Sequence, residues 1–391
     1  MRRALSLARR GVGRVSPNPA VGAILVSRGK IIGEGWHQKA GQAHAEIRAL
    51  EQAKKRGKST RGATMYVTLE PCSTHGRTPP CTEALIRAGD KRVVVACLDP
   101  NPSHEGRGLK HLRAAGISVQ TGIGRLPAER LNAAFFQWIR TQCPRVTLKA
   151  AMTLDGKIAT ADGQSKWITG EVARRHAMRL RHSMDAILVG RQTVEADDPS
   201  LTVRLSSSAH SIRKPLMRIV LDSRARIPLG AKVLNDDMKH MTRVVVSASA
   251  PAGRLAALQK RVEVWQSPAK TRVDLFWLVQ TLGRHEVTSL LVEGGGEVHA
   301  SFLEAGLVDE VAFYYAPKVL GGTTSRRAIA GKGATQLSAA LAWIRRVGAS
   351  SVWTWGCVRW WSKTVSRTYG ADEPGLANQM AGPMPPPNMK P

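Results

Sequence analysis

Residues 63–81 read ATMYVTLEPCSTHGRTPPC, and this stretch decides the fold of the first part of the chain. Ala63 to Leu69 is a short apolar run with β-branched and aromatic members, which predicts a buried strand. Glu70-Pro71-Cys72 then falls at the C-terminal end of that strand, where open α/β sheets collect their ligands. Pro80 suits the first turn of a helix over Cys81 to Ala88, because its missing N–H goes unused there. Upstream, His44-Ala45-Glu46 opens a run of helical period from His44 to Lys55. One imidazole (His44) and two thiols (Cys72 and Cys81) leave one tetrahedral position open on a Zn2+ ion. Water placed there becomes nucleophilic near neutral pH. Glu46, two residues beyond His44, is then the general acid/base and not a ligand. The order H-x-E followed by paired cysteines is that of zinc nucleobase deaminases, although here eight residues, not two, separate the thiols. A lone helical His is usually no ligand, and Glu46 alone would read as a solvated charge. The shared order and the Pro before each Cys favour the metal site.

At 391 residues the chain exceeds one ordinary core and predicts at least two domains. No run of about 18 apolar residues exists, so no membrane partner is expected. The basic start, Met1-Arg2-Arg3-Ala4-Leu5, lacks a sustained apolar segment and reads as an amphipathic helix over Leu5 to Arg10. A cytoplasmic location follows. Five cysteines in so long a chain make no disulfide framework. The net charge of +29 raises nucleic acid as a partner. Its basic residues are scattered at helical spacing with few aromatics among them, so no nucleic-acid partner is expected; part of the charge suits a phosphorylated small molecule.

The first segment alternates. Strands Val21–Val26 and Lys30–Trp36 form a hairpin about Ser27-Arg28-Gly29-Lys30; helix His44–Lys55, strand Thr64–Leu69, helix Cys81–Ala88, strand Arg92–Ala96, helix Gly108–Ala115, strand Ile117–Gln120 and helix Leu126–Arg140 follow. This predicts an α/β domain over residues 1–143. Thr141 to Pro144 reads as a linker. A second α/β unit, residues 144–345, opens with strand Arg145–Met152 and continues with strands at 186–189, 218–221, 243–246, 262–265, 289–293 and 310–315 and helices at 171–183, 273–283 and 298–305. No GxGxxG opens it, so a Rossmann fingerprint is absent. Residues 346–391 read as a divergent, partly disordered tail, rich in Trp and then in Pro, Gly and Met.

The chain resembles the bifunctional riboflavin-biosynthesis deaminase/reductase family over residues 1–330. The resemblance rests on Asn18 to Gly22 (NPAVG), His44-Ala45-Glu46, Glu70 to Cys81, Asp99 to Pro102 (DPNP), Leu148 to Lys157 (LKAAMTLDGK), Trp167-Ile168-Thr169, Thr193 to Arg204 (TVEADDPSLTVR) and Glu293-Gly294-Gly295. It implies an N-terminal cytidine-deaminase-like three-layer domain and a C-terminal dihydrofolate-reductase-like domain. It implies hydrolytic deamination of a 2,5-diamino-6-ribosylamino-pyrimidinone 5′-phosphate, then reduction of the ribosyl chain to ribityl, with one Zn2+ and NADPH as cofactors. Relatives associate, which implies a homo-oligomer.

His44, Cys72 and Cys81 are the zinc ligands by chemistry and by resemblance alike. The family's matching Asn makes Asn18 a base contact; a turn residue in Ser-Pro-Asn-Pro is the lesser alternative. Arg77, between the cysteines, suits the substrate phosphate or is a solvated loop charge. Lys149 and Asp155 are the candidates for substrate charge and proton handling, Lys149 alone being as readily a strand-end charge. Ser165, Arg181, Leu201, Arg204 and Glu293 match positions that hold the sugar phosphate and base. Ala151, Trp167, Thr193, Asp197, Ser223 and the 294–301 turn, with Gly295, Gly296 and Glu297, match those that hold the nucleotide. A Gly-rich strand-to-helix turn also offers N–H groups to a pyrophosphate.

Three departures stand out. Thr74 replaces a His that relatives carry after Cys-Ser, and Ser103-His104-Glu105 replaces a small apolar pair. From Ala339 the chain stops resembling the paired strands that close the family's sheet, which would leave an open edge. An alternative is a deaminase of another base or nucleotide with a degenerate reductase domain; another class is an RNA-binding modification factor, whose binding would depend steeply on salt.

Overall fold

The structure, a computed structural model, describes residues 1–74, 79–102, 104–204, 215–341, 343–346 and 352–357. The first unit runs α1 (Arg2–Ala8), β1 (Gly22–Ser27), β2 (Lys30–Trp36), α2 (Ala45–Lys55), β3 (Thr64–Val67), α3 (Cys81–Ala88), β4 (Arg92–Val95), α4 (Arg107–Ala114), β5 (Ser118–Thr121), α5 (Arg125–Leu131) and α6 (Ala133–Thr141). The strands form one sheet in the order β2-β1-β3-β4-β5. β1 is antiparallel to β2 and β3, and the β3-β4-β5 half is parallel. Strand alternation sends Ala23, Leu25, Met65 and Val67 to one face, where they pack on Ala45, Ala49, Ala53, Leu85 and Leu112. Ile24 and Tyr66 point the other way, against Ala4 and Leu7 of α1. Helices thus cover both faces, giving the three layers.

The fit of α2 on the sheet is unusually close. A Cβ at Gly33 would stand 2.1 Å from the Ala49 carbonyl oxygen, and one at Gly35 would stand 2.3 Å from that of Ala45. Glycine on the strand and alanine on the helix set this spacing, which fixes how far His44, just before α2, stands from the end of β3.

The second unit runs β6 (Arg145–Thr153), β7 (Lys157–Ala159), α7 (Glu171–His182), β8 (Ala186–Gly190), α8 (Arg191–Asp197), β9 (Met217–Leu221), α9 (Lys232–Asn235), β10 (Thr242–Val246), α10 (Ala252–Gln259), β11 (Glu263–Gln266), α11 (Leu275–Arg284), β12 (Ser289–Val292), α12 (Gly296–Glu304), β13 (Glu310–Ala316), β14 (Arg326–Arg327), β15 (Trp343–Arg346) and β16 (Val352–Cys357). Among the described residues nine strands form the order β11-β10-β9-β8-β12-β6-β13-β16-β15. The strands from β11 to β13 are parallel, so their C-terminal ends share one edge. Their interior reads as near-continuous apolar runs, as parallel strands buried on both faces require: all five residues of β8 are buried.

Two expectations need correction. The single helix over Leu126–Arg140 is two helices, broken at buried Asn132. Its side chain leaves the helical pattern to accept from the Ala20 N–H at 2.7 Å and donate to the Ala20 carbonyl at 3.0 Å. The expected open edge is closed: β16 pairs antiparallel with β13 from Glu310↔Gly356 to Tyr314↔Val352, and β15 pairs with β16. Described strand residues therefore lie past residue 345, at Arg346 and over Val352–Cys357. Elsewhere the differences are boundary shifts with local causes. α11 starts at Leu275 and not at Val273 because the Asp274 carboxylate accepts from the N–H groups of Phe276 and Trp277. Short β7, α8, α9, α10 and β14 carry too few residues for a readable period. Among the described residues no helix is long and apolar enough to cross a membrane.

Candidate functional site

The first site forms where the N-terminus of α2, the segment after β3 and the N-terminus of α3 meet. His44 Nδ1 lies 3.3 Å from Cys81 Sγ and 3.5 Å from Cys72 Sγ, and the Cys81 N–H donates to Cys72 Sγ at 3.3 Å. The ligand atoms of the three residues lie within 4.8 Å of one another. Hydrogen bonds, first from the Cys81 thiol and then from His44, hold Cys72 down to about 4. The same contact with Cys72, reinforced by burial, raises Cys81. Two thiols that cannot both ionise unaided, beside an imidazole, are the donor set a soft dication satisfies; its charge lets both become thiolates. The residues therefore fit zinc.

Glu46 lies in the first turn of α2, 3% exposed, and burial pushes its carboxyl up to about 7. A nearby dication would draw it down again, and a group poised between its two protonation states near neutral pH suits proton transfer. Asn18, on the loop into β1, has its Nδ2 3.0 Å from His37 Nε2. Sequence reading did not single out His37. Burial holds it down at about 4, so the ring is neutral, and its Nδ1 donates to the Ala43 carbonyl at 3.3 Å. Nε2 is then the acceptor, and the Asn18 amide must donate to it. That fixes which way Asn18 presents its oxygen.

A second residue missed in the sequence is Glu70, beside Cys72. Its buried carboxylate accepts from the N–H groups of Asp99 (3.3 Å), Gly106 (3.0 Å) and Gly108 (3.0 Å), tying the start of α4 to the ligand segment. Thr74 is exposed. Arg77 and its neighbour His75 lie outside the described residues.

In the second unit the candidate residues gather at the C-terminal ends of the parallel strands. Arg181 of α7 grips Glu293 with two hydrogen bonds, 3.2 and 2.8 Å, and donates to the Thr202 carbonyl at 2.7 Å. Lys149 Nζ lies 3.6 Å from the same carboxylate and 5.8 Å above the Tyr314 ring. Burial works against the charge on Glu293, but Lys149 and Arg181 outweigh it and hold the carboxyl at about 2. Glu293 thus acts as counter-ion to two cations, and Lys149 keeps its place by it. Asp155 is separate from this cluster: exposed, and accepting from the N–H groups of Leu320 (3.2 Å) and Gly321 (2.8 Å). Hydrogen bonds from Thr153, then Gly321 and Leu320, hold its carboxyl at about 2, too low for a useful base.

Ser165 donates to Asp197 at 3.1 Å, so these two expected contacts stand together. Trp167 is 64% exposed, with the Arg174 guanidinium 4.7 Å from its ring centroid. Leu201 is buried in the core with φ of 50°, which leaves only its backbone for a ligand. Ala151 is half-buried near the C-terminal end of β6, and Arg204 is exposed at the last described residue before 215. Ser223 accepts from the Val273 N–H at 3.3 Å. Gly295 precedes α12, and a Cβ built there would meet nothing nearer than Thr193 Oγ1 at 3.8 Å. This is an open backbone cradle at a helix N-terminus, which fits a dinucleotide pyrophosphate. Gly296 is different: a Cβ there would stand 2.4 Å from the Arg327 carbonyl oxygen, so packing alone demands glycine. Exposed Glu297 follows in the first turn.

Comparison with known proteins agrees with this division. Residues 1–97 match the cytidine and deoxycytidylate deaminase zinc-binding region, and residues 144–353 match the RibD C-terminal domain. The riboflavin biosynthesis protein RibD of Bacillus amyloliquefaciens is 44% identical over 336 residues, 85% of this chain and 88% of that one. That of Aquifex aeolicus is 45% identical over 321 residues, covering 82% and 87%. The solved RibD of Acinetobacter baumannii superposes with a TM-score of 0.80 at 38% identity, covering 92% of this chain and 98% of that one. A diaminohydroxyphosphoribosylaminopyrimidine deaminase/5-amino-6-(5-phosphoribosylamino)uracil reductase from Thermotoga maritima gives 0.78 at 34%, covering 92% and 97%. With a zinc-binding deaminase half and an NADPH-dependent reductase half joined in one chain, the protein belongs to the riboflavin biosynthesis RibD family.

Proposed function

We propose that the first half hydrolyses the ring amine of 2,5-diamino-6-ribosylamino-4(3H)-pyrimidinone 5′-phosphate and that the second reduces the ribosyl group of the product to ribityl with NADPH. The observation that carries this reading is the convergence of His44, Cys72 and Cys81 within 4.8 Å beside a buried Glu46. In it, His44, Cys72 and Cys81 hold the zinc. The ion supplies the Lewis acidity that makes water nucleophilic near neutral pH. Glu46 accepts the water's proton and delivers it to the ring nitrogen; it then takes the proton of the newly formed C–OH group and passes it to the departing amine, so that the carbonyl forms as the C–N bond breaks and ammonia leaves. Asn18, oriented by His37, pairs with the pyrimidine edge, and Arg77 meets the phosphate.

In the second half Lys149, held by Glu293, faces the sugar and serves its ring oxygen as proton source or positive charge while the bond from that oxygen to C1′ breaks and C1′ receives hydride from NADPH. Arg181, Ser165, Arg204 and the Leu201 backbone surround the substrate. Thr193, Asp197, Ser223, Ala151, Trp167 and the turn Gly295-Gly296-Glu297 surround the nucleotide. Asp155 fixes the 320–321 loop at the mouth of the site. Among the described residues the Cys72, Cys81 and Cys97 thiols are free, which supports a reducing, cytoplasmic setting. Exposed Leu154 (62%), Val172 (67%) and Val319 (70%) support self-association.

The test is to incubate purified, zinc-loaded protein with the diamino substrate, with and without NADPH, following ammonia and nucleotide absorbance together. Ammonia should appear without NADPH, and NADPH should be consumed only after ammonia begins to form. Absence of ammonia from zinc-replete protein would refute the reading.

A further inference from the structure

The loop that carries Asn18 lies between α1 and β1, and apart from a short 3-10 turn over Arg9–Gly11 it has no regular structure of its own. Its exit is secured inside the first unit by the two Ala20 bonds to Asn132. Its middle is secured from outside that unit. Ser16 Oγ donates to Asp185 Oδ2 at 2.7 Å, and Asp185 belongs to the reductase half, just before β8. The receiving oxygen is deeply set. It also accepts from the Thr288 N–H (2.8 Å), the Thr288 hydroxyl (2.7 Å) and the Ser289 N–H (3.2 Å). The Asp185 N–H in turn donates to Ser289 Oγ at 3.0 Å. Asp185, Thr288 and Ser289 are all less than 8% exposed. The anchor thus locks the starts of β8 and β12 together, and the Ser16 hydroxyl joins it, lying also 3.3 Å from Thr288 Oγ1. Gly13 adds a shape contact, since a Cβ there would lie 2.2 Å from the His182 carbonyl oxygen. The loop therefore rests on the reductase half at two points, Gly13 and Ser16, and Ser16 is two residues from Asn18.

We propose that Asp185 is a positioning residue for deamination: through Ser16 it holds the Asn18 loop in the geometry that receives the pyrimidine. A short bond to a buried carboxylate is among the stronger ones available to a hydroxyl. An amide that reads a base edge loses affinity when its backbone drifts by a fraction of an ångström. The reductase half is then part of the deaminase active site without touching substrate. This rests on the reading of Asn18 as a base contact.

The test uses the full-length, zinc-loaded chain. Ser16→Ala should raise the KM for deamination about tenfold with kcat altered less than about twofold, because the chemistry at zinc and Glu46 is untouched. Zinc content and reductase kinetics on the deaminated intermediate should be unchanged, and Ser16→Thr should restore the KM. Asp185→Asn, which keeps an acceptor oxygen, should give a smaller rise in the same direction. An unchanged KM in Ser16→Ala, in a protein where Asn18→Ala raises it, would overturn the latch and leave the base contact standing. An unchanged KM in Asn18→Ala would remove the base contact and the latch together. A parallel loss of kcat, zinc and reductase activity would show a merely structural role and also overturn it.

Discussion

Glu46 is nearly sealed from solvent, yet the proposed reaction has it change protonation twice in each turnover. Burial, the largest cause, lifts its carboxyl, His44 pulls it back and Cys72 adds to the rise, which together leave it at about 7. Glu46→Gln removes the proton carrier and keeps the shape, so ammonia release should fall by about 10²–10⁴-fold. Zinc measured by mass spectrometry should stay stoichiometric, since Glu46 is not among the gathered ligand atoms; retained deamination would count against its role. Residues of this kind are legible in sequence because helix starts and strand ends put them at readable spacings. Glu46 follows His44 by two positions, and each Cys follows a Pro. His37 is not legible in that way. It meets Asn18 only because β2 returns beside β1, across 19 residues, and nothing in the local pattern announces it. Glu293 shows the converse limit. Its position after a strand was plain, but its pairing with Arg181, 112 residues away, makes it a counter-ion first.

At the scale of elements, the long periodic segments were readable and the short ones were not. β8, buried throughout, and α2, with its alanine stripe, announce themselves. β14, two residues long, exists only because it pairs with β7. The end of the second sheet is the instructive case. Crowded tryptophans around 343–361 have no clear period, but β15 and β16 form because β13 offers an unpaired edge. Tertiary pairing there overrides a weak local signal. Ending the chain after Leu341 should strip that cover from β13, which lies directly beside β6 and its Lys149. The truncated protein should lose NADPH oxidation while ammonia release persists. The melting temperature of the second unit should drop by about 2–4 °C for each kcal/mol withdrawn. Full reductase activity after truncation would show that the hairpin is dispensable.

For the molecule as a whole, stability carries a defect at Asp90. This residue, between α3 and β4, is 4% exposed, and neither carboxylate oxygen has a hydrogen-bond partner among the described residues. Burial pushes it up to about 7. A carboxyl raised in the folded state binds its proton more tightly there than in the unfolded chain. Its penalty is therefore absent below the ordinary carboxylate range, about pH 4, grows as pH rises, and is complete above about pH 7. Asp90→Asn should raise stability at pH 8 by about 1–3 kcal/mol and leave it little changed at pH 4. Thermal unfolding of both proteins across that range checks the sign, and equal shifts at both ends would contradict it. Two halves with separate sheets could be inferred from the alternation of elements, but not the way they join. That join depends on single hydrogen bonds such as Ser16 to Asp185, spanning 169 residues. Asp185 stands just before β8, whose five residues carry the chain roughly 16 Å to its C-terminal end. A buried strand therefore separates the Ser16–Asp185 join from the strand tips where the proposed ligand contacts of the second half lie. Substitutions at those tips can then change what one half binds without moving the join that steadies the other.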